Sequence, residues 1–318
     1  MRWFRTLTVI TLFATVLLIA MGSTVRNTDS GLGCPDWPLC YGKILPPLEF
    51  TAIVEWVHRF MASIISILVA AQAVGAFMQR RQDPTLWRLA IASGVTVLGQ
   101  ALLGGVTVLT KNAPWTVGVH LAAALTLLAV VSMMAACAYL GPGRTRIATR
   151  ERAAFERVAR WAMISTGIVL LIGAYTVATN AGFGCTTWPS CKEGPIPFLS
   201  GERLQHIHWL HRFTVLGGAV IIGWLFLHVR EMRDRGPMLR KAAHSLIGLY
   251  GVQIFVGGLN ILSGFEEAVR VTHLVVASAI WVVMILMWYA GRFSPDPEVA
   301  ARSVSTPSGT SDTSRAHA

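Results

Sequence analysis

Apolar residues run through most of this chain in long stretches that short polar segments separate. Eight stretches are long enough, at roughly 20 residues, for an α-helix to cross the hydrocarbon core of a bilayer. They lie at about 6–25, 52–77, 88–109, 115–139, 159–179, 206–228, 242–263 and 269–291. The sequence therefore predicts an all-α integral membrane protein with eight transmembrane helices.

Composition and charge support this fold class and add an orientation. Charged residues make up 14% of the 318 residues, whereas soluble domains carry about 25%. The net charge of +11 could suggest nucleic acid, but nineteen Lys and Arg lie in the termini and alternate loops against six in the other loops. By the positive-inside rule this asymmetry places both termini in the cytoplasm. The positive charge is thus a topology signal, and we expect no nucleic-acid partner.

The first apolar stretch has two interpretations. Arg2 and Arg5 precede it, as basic residues precede a signal peptide. Residues 8–28, however, have a counterpart at 159–179 in the second half of the chain. This counterpart favours a helix that is retained in the mature protein.

The two halves of the chain resemble each other. Residues 55–60 (EWVHRF) return as residues 208–213 (HWLHRF), 153 positions later, and Gly104-Gly105 returns as Gly257-Gly258. Two tandem units with four helices each have the same orientation in the membrane, as parallel repeats do. The glycine pairs either let helices pack closely or make room for a flat ligand.

This repeat predicts the domain organisation. We expect two tandem pseudo-symmetric four-helix bundles, at 1–140 and 159–292. A cytoplasmic linker at 141–158 would join them. The tail at 293–318, rich in Ser, Thr, Pro and Ala, is predicted to be disordered and cytoplasmic.

Each half contains a histidine pair with a spacing of 62 residues, His58 with His120 and His211 with His273. Each histidine lies about five or six residues inside a predicted helix, roughly 8 Å below the outer boundary. A neutral imidazole at that depth needs a partner. One interpretation is a hydrogen bond to a neighbouring helix; the other is a haem held between two imidazoles from facing helices. The repeated pairing favours haem, because zinc or copper would need further ligands at this depth.

Four other histidines have no histidine at the matching first-half position: His206, His208, His228 and His244. We expect His228 and His244 at the cytoplasmic edge, and His206 and His208 at the outer edge, where solvation is the default. His208 replaces Glu55 of the first motif, so it is also a candidate to support a bound ligand.

Four of the five cysteines form two local pairs in outer loops, Cys34 with Cys40 and Cys185 with Cys191. The outer face is oxidising, so we expect a disulfide within each pair. Two roles stay open for these pairs, a structural staple and a thiol relay for electrons. Cys137 is predicted to be a packing residue.

Arg59 and Arg212 directly follow the motif histidines. One interpretation is that their guanidinium groups extend to the membrane interface. The other is that they pair with the propionates of a bound haem, which need a cation in a partly dry site.

The two motifs, the four histidines and the Gly-Cys…Trp-Pro…Cys loops together resemble the haem A synthase family over all eight predicted helices. The resemblance implies oxidation of the C8 methyl of haem o to a formyl group, by successive hydroxylations, to give haem a for terminal oxidase biogenesis. It implies that His211 and His273 ligate a resident haem b and that His58 and His120 hold the haem o substrate. Glu55 would be the reactive carboxylate.

The same resemblance implies partners and a location. Haem o would come from a haem o synthase, and terminal oxidase assembly factors would act with the product. The absence of a Ser- and Arg-rich presequence favours a bacterial cell membrane over a mitochondrial one. The electron acceptor, the oxygen source and the oligomeric state do not follow from the sequence.

Alternatives remain for Glu55 and for the function. Glu55 could form a structural salt bridge with Arg59 or lie at the interface as an ordinary carboxylate. The chain could instead be a quinone-linked dihaem b-type electron-transfer cytochrome that changes neither haem. It could also be a membrane thiol–disulfide oxidoreductase that uses the outer cysteines and needs no haem.

Overall fold

Eight long α-helices form the protein in a computed structural model that describes residues 2–140, 149–191, 202–232 and 237–292. In chain order the helices are α1 Arg2–Asn27, α2 Phe50–Gln79, α3 Pro84–Leu109, α4 Pro114–Leu140, α5 Thr149–Ala178, α6 Arg203–Glu231, α7 Pro237–Leu262 and α8 Glu267–Arg292. A short 3-10 helix, Ala181–Gly184, follows α5. No strand occurs within the described residues, which confirms the predicted all-α class.

All eight helices are long and apolar enough to cross a membrane, as predicted. Their bounds exceed the apolar stretches, most clearly at α5, which begins at Thr149 instead of about 159. The added turns are polar and contain an ion pair between Arg152 and Glu156, with the nitrogen and oxygen 3.1 Å apart. Hydropathy finds only the membrane-embedded part of a helix, so such a polar extension is missed. Part of the predicted linker, 141–148, and the whole predicted tail, 293–318, lie outside the described residues.

Within each half the helices pack as sequential neighbours, and the first helix also contacts the fourth. Thus α1 packs on α2 and α4, α3 on α2 and α4, α5 on α6 and α8, and α7 on α6 and α8. The halves meet where α8 contacts α1 and α4, and where α4 contacts α5. A hydrogen bond crosses this junction: Nε1 of Trp281 donates to the backbone oxygen of Leu125 at 3.0 Å.

The interior of the C-terminal half is an apolar cluster drawn from α5–α8, with Phe155, Leu225, Leu246 and Met284 among its fully buried members. Large apolar side chains on the outside of the bundle are exposed, for example Phe13 and Val220. A helix face of this kind is suited to lipid contact, since acyl chains are as apolar as the side chains.

Two loops at one end of the bundle hold the cysteine pairs. Disulfides join Cys34 to Cys40 and Cys185 to Cys191, as predicted. We call residues 34–40 the first cysteine loop, residues 185–191 the second cysteine loop, and this end of the bundle the cysteine end. Each loop lies directly on the start of the next helix: a Cβ on Gly33 would meet the backbone of Thr51, and one on Gly184 would meet that of Leu204. Only glycine allows so close an approach.

Candidate functional site

The four predicted ligand histidines all lie about two turns inside their helices, counted from the cysteine end. His58 is on α2, His120 on α4, His211 on α6 and His273 on α8. The two histidines of each half lie on helices that share both neighbours, since α2 and α4 both pack on α1 and α3, and α6 and α8 both pack on α5 and α7. The structure therefore brings the histidines together in the pairs that their spacing predicted.

A glycine on a neighbouring helix backs each of these imidazoles. A Cβ built on Gly22 of α1 would lie 3.1 Å from Cε1 of His58, and one on Gly173 of α5 would lie 3.3 Å from Cε1 of His211. Gly104 and Gly257 stand in the same relation to His120 and His273, at 3.4 and 3.2 Å. A methyl added at Gly22, Gly173 or Gly257 would displace the ring by a few tenths of an ångström, and one at Gly104 would just touch it, so the glycines let the imidazoles pack directly on the neighbouring helices.

Sequence reasoning singled out only half of these glycines. The repeated glycine pairs of the sequence include Gly104 and Gly257 and do not include Gly22 and Gly173. Their signal was present as a glycine that recurs at an offset of 151 residues in α1 and α5. The side of the helix that faces the histidine, however, becomes clear only from the packing.

The chemistry of the donor set fits an axially ligated haem. Nδ1 of His58, His120, His211 and His273 is buried without a hydrogen-bond partner among the described residues. The alternative of four histidines held by hydrogen bonds to neighbouring helices therefore has no support at Nδ1. No group of three or more His, Cys, Asp or Glu that could hold a metal occurs in the part of the chain that the structure describes. Two imidazoles per site suit haem iron, whose macrocycle supplies the other four ligands.

Glu55 is buried, with 4% of the residue exposed, and its carboxylate is fully engaged. Oε1 accepts from Nη2 of Arg59 at 2.6 Å, and Oε2 accepts the backbone N–H of Cys34 at 2.8 Å. Glu55 lies three residues before His58, so both side chains project from nearly the same face of α2. The carboxylate thus links the first cysteine loop to the histidine-bearing helix, and the salt bridge with Arg59, the structural alternative for this residue, is present.

His208 takes the same place in the second half. Its Nδ1 accepts the backbone N–H of Cys185 at 3.3 Å, as Oε2 of Glu55 accepts that of Cys34. The residue is 7% exposed, so the default of a solvated His208 at the outer edge is wrong. The two sites therefore share their architecture and differ in charge, since only the N-terminal one has a carboxylate at this point. Of the other unmatched histidines, His244 pairs through Nδ1 with the backbone oxygen of Arg240 at 2.8 Å.

Arg59 and Arg212 hold the cysteine loops. Arg59 donates to the backbone oxygens of Cys34, Asp36 and Leu39 at 2.7–3.1 Å. Arg212 donates to those of Thr187, Pro189 and Ser190, each at 3.0 Å. Contact with haem propionates stays a prediction for both, and a guanidinium with five N–H donors allows it beside these bonds.

A tryptophan from each cysteine loop covers a glycine next to the histidine-backing one. A Cβ on Gly105 would lie 2.9 Å from Cδ2 of Trp37, and one on Gly258 would lie 3.1 Å from Cε2 of Trp188. The repeated glycine pairs therefore accommodate two flat side chains each, one imidazole and one indole. This places an aromatic wall from the loop beside each histidine pair.

The turn of the first cysteine loop is organised by Asp36. Its carboxylate accepts the backbone N–H groups of Tyr41 at 2.6 Å and Gly42 at 2.7 Å. The pKa of Asp36 lies below its usual value chiefly because Gly42 donates to the carboxylate. The loop is thus held by a disulfide, a guanidinium and a capped turn.

Comparison with known proteins finds a family and relatives for this chain. A family model described as "Cytochrome oxidase assembly protein" (COX15-CtaA) matches residues 5–52 and 47–285. A protein of Symbiobacterium thermophilum named "Heme A synthase" is 28% identical over 86% of this chain and 90% of its own length. Proteins of the same name from Bacillus pumilus (29% identical; 70% of this chain, 73% of the relative) and Shewanella oneidensis (26%; 83% and 89%) are also similar. Because the family model covers most of its length, this chain belongs to the COX15-CtaA family of cytochrome oxidase assembly proteins.

Proposed function

We propose that this chain catalyses the haem A synthase reaction, the oxidation of the C8 methyl of haem o to the formyl group of haem a. The observation that carries the proposal is the pair of glycine-backed histidine sites, of which only the N-terminal one includes a buried carboxylate. One haem is oxidised and the other is retained unchanged in this reaction. The two sites should therefore have the same kind of ligands and differ in the group that acts on the substrate. The names of the similar proteins support the same reaction.

The N-terminal pair, His58 and His120, holds the haem o substrate in this proposal, and His211 and His273 hold haem b. Haem b, when bound, supplies one-electron redox chemistry. The protein supplies two imidazoles per haem, the glycines that set their positions and the tryptophan wall from each loop. The units at 1–140 and 159–292 are accordingly a substrate unit and a haem b unit.

Glu55 is the proposed catalytic carboxylate. Each round removes two electrons and one proton from the ring methyl. The electrons go to an external electron acceptor, and a nearby carboxylate stabilises the positive charge left at the carbon and takes the proton. Water then adds to the carbon and releases a second proton, which gives the hydroxymethyl group. A second round gives a geminal diol, which loses water to become the aldehyde. Arg59 and the Cys34 N–H hold the carboxylate in position for both rounds.

We further propose that the protein lies in a bacterial cell membrane with both termini in the cytoplasm, so that the cysteine end faces outward. The supporting observation is the excess of Lys and Arg at the opposite end. A haem o synthase would deliver the substrate, and terminal oxidase assembly would use the product. A topology reporter fused after Phe293 should be active only on the cytoplasmic side, and activity on the outer side would overturn this orientation.

Extraction of haems tests the reaction. The chain is expressed with a haem o synthase in cells that make no haem a, and the membrane haems are separated by chromatography. We expect haem a to appear together with haem b that copurifies with the protein. Two bound haem b molecules and unchanged haem o would instead identify a dihaem cytochrome. A function lost in cysteine variants and retained after His211→Ala would identify a thiol–disulfide oxidoreductase.

A further inference from the structure

The interior of the N-terminal half contains buried polar side chains toward the end opposite the cysteine loops. Each of α1–α4 contributes at least one, and all are fully buried: Thr8, Thr11, Gln72, Ser93 and Ser132. At 1.5 Å per residue they lie about 9 to 14 Å inside the ends of their helices. Polar groups from four helices thus share one layer of the bundle.

The C-terminal half has an apolar residue at every matching position. With the offsets of 151 residues for α1 and 153 for α2–α4, the matching residues are Ala159, Ala162, Leu225, Leu246 and Ile285, all buried. Core positions beside them are the same in both halves, as Phe4 matches Phe155 and Met134 matches Met287. The difference in polarity at this layer therefore lies next to core positions that are unchanged between the halves.

Gln72 is the member of the layer that requires a ligand. Neither its Oε1 nor its Nε2 has a hydrogen-bond partner among the described residues, although both atoms are buried. The four hydroxyls each donate to a backbone oxygen of their own helix at 2.6–2.9 Å. They keep acceptor lone pairs, so they do not need a ligand but can bind one. A buried amide left unpaired is costly, and in native proteins ordered water pairs with it.

In the C-terminal half, a buried polar group has a hydrogen-bond partner within the protein. Tyr250 lies at the position that matches Val97, and its hydroxyl donates to the backbone oxygen of Val215 at 2.9 Å. Its ring fills the space beside Gly218. The C-terminal interior is thus closed by packing at a level where the N-terminal interior has no such side chain.

The polar layer leads toward the N-terminal histidine pair. Gln72 lies on the buried face of α2 that also contains Glu55, Ile65 and Val69, and His58 is in register with this face. On α3, Oε1 of Gln100 is buried without a partner among the described residues, one turn before Gly104, which backs His120. On α3 a polar group therefore occurs between the layer and His120, whereas Ile65 and Val69 on the face of α2 toward His58 are apolar. The matching Gln253 of the C-terminal half also has a buried Oε1 without a partner among the described residues, so the layer, and not this amide, distinguishes the two halves.

A carboxylate lies at the other end of this series. Asp83 precedes α3 and accepts the backbone N–H groups of Thr85 and Leu86. The thiol of Cys137, on α4 one turn beyond Ser132, donates to its Oδ2 at 3.5 Å. The partly exposed Asp83 thus connects the buried layer to the surface at the end opposite the cysteine loops.

We propose that the N-terminal interior holds a file of water molecules that runs from Asp83 past Gln72 to the His58–His120 pair. Its use rests on the proposed function: oxidation of a C–H bond moves protons whichever oxidant takes the electrons. The file exchanges these protons, and water, with the cytoplasmic side. The haem b unit performs no such step, and its residues at the positions that match the layer are apolar.

A matched pair of methionines reports on the water directly. Met134 packs in the same apolar cluster as Ala76, one turn from Gln72, and Met287 packs with Leu225 in the other half. Both are almost fully buried, at 0% and 1% exposure. Hydroxyl radicals generated from water by a synchrotron beam oxidise side chains next to internal water. In the purified full chain we expect Met134 to be oxidised faster than Met287, and equal protection of both would overturn the water file.

Substitution of Gln72 tests the central site. Gln72→Leu introduces the side chain that the C-terminal half has at the matching position, Leu225. The oxidation rate of Met134 should then fall to that of Met287. Leu225→Gln is the matched control at the same depth and should leave oxidation of Met134 unchanged. The haem b spectrum shows whether each variant is folded, and Gln72→Met serves if the leucine variant is not. Undiminished oxidation of Met134 in a folded variant would remove Gln72 from the path.

Turnover separates this inference from the proposed function. Gln72→Leu should convert haem o to haem a several-fold more slowly than both the wild type and Leu225→Gln. If Gln72→Leu loses oxidation of Met134 and keeps its turnover, water is present at Gln72 but has no role in proton exchange. If the wild type forms no haem a, the proposed function fails, and the methionine comparison still decides whether the water file exists.

Discussion

The guanidinium of Arg59 lies 2.6 Å from the carboxylate of Glu55, one helical turn away on α2. The same carboxylate accepts the backbone N–H of Cys34. Loss of a structural role, which includes the ion pair with Arg59, would lower stability, whereas loss of a catalytic role would remove turnover from a protein that still folds. The two roles can therefore be separated by a side chain that keeps the acceptor and loses the charge.

Glu55→Gln makes this separation. The amide oxygen can still accept from Cys34, so the variant should fold and retain its haem b. It should accumulate haem o or a hydroxylated intermediate, with a loss of turnover of about 10²–10⁴-fold, as for removal of a general base. Chromatography of extracted haems measures the loss. His208→Gln, the matched change in the other half, should still form haem a, and wild-type levels of haem a in Glu55→Gln would leave Glu55 a structural residue.

The two histidine pairs should lose different haems. His211→Ala removes one imidazole of the C-terminal pair, so the copurifying low-spin haem b should disappear or become high-spin. His58→Ala should keep that spectrum and fail to convert haem o. Absorption and electron paramagnetic resonance spectra of both purified variants test the assignment. An unchanged low-spin spectrum with full haem content in His211→Ala would contradict it.

Gly173→Ala should alter the haem b site without breaking the fold. The added methyl would lie 3.3 Å from Cε1 of His211, so the ring must move by a few tenths of an ångström. We expect shifted low-spin resonance signals with the haem retained. Gly217→Ala is the control, because a Cβ there meets nothing within 4 Å. Identical spectra in both variants would show that the glycine does not set the position of the imidazole.

Most of the helical framework could be predicted from the sequence, because a membrane span needs a long apolar stretch and little else. The beginning of α5 could not, since its first turns are charged and lie outside the apolar window. The histidine pairs followed from equal spacing on helices that start at the same end. The contacts of Arg59 and Arg212 did not follow, because a guanidinium that extends toward an interface and one that binds loop oxygens have the same sequence signature.

Arg212 should stabilise the second cysteine loop measurably. Arg212→Lys replaces a planar fork that binds three backbone oxygens with a single ammonium group. We expect a loss of about 1–2 kcal/mol in stability and faster cleavage of the loop by an added protease. Arg203→Lys is the control, since the hydrogen bond of Arg203 to the described residues is a 3.5 Å contact with the hydroxyl of Tyr175. Equal cleavage rates in the two variants would show that Arg212 does not hold the loop.

The cysteines should yield a single free thiol. With disulfides between Cys34 and Cys40 and between Cys185 and Cys191, only Cys137 is free. Denatured, unreduced protein should therefore take up one alkylating group per chain, and prior reduction should raise this to five, the number of cysteines in the sequence. Mass spectrometry identifies the labelled positions. Label on the loop cysteines before reduction would contradict the pairing.

The double attachment of each cysteine loop bears on how this architecture tolerates change over evolution. A disulfide and a guanidinium constrain the same short segment, and the arginine comes from the helix that also carries the proposed ligand histidine. Loss of the cysteines would leave the arginine contacts in place, whereas loss of the arginine would leave a closed ring with no attachment to that helix through its backbone oxygens. A related protein in a reducing environment could therefore lose the cysteines and still hold the loop tryptophan beside the histidine pair. Loss of the arginine would release the loop from the helix, so we expect the arginine to tolerate substitution less well than the cysteines.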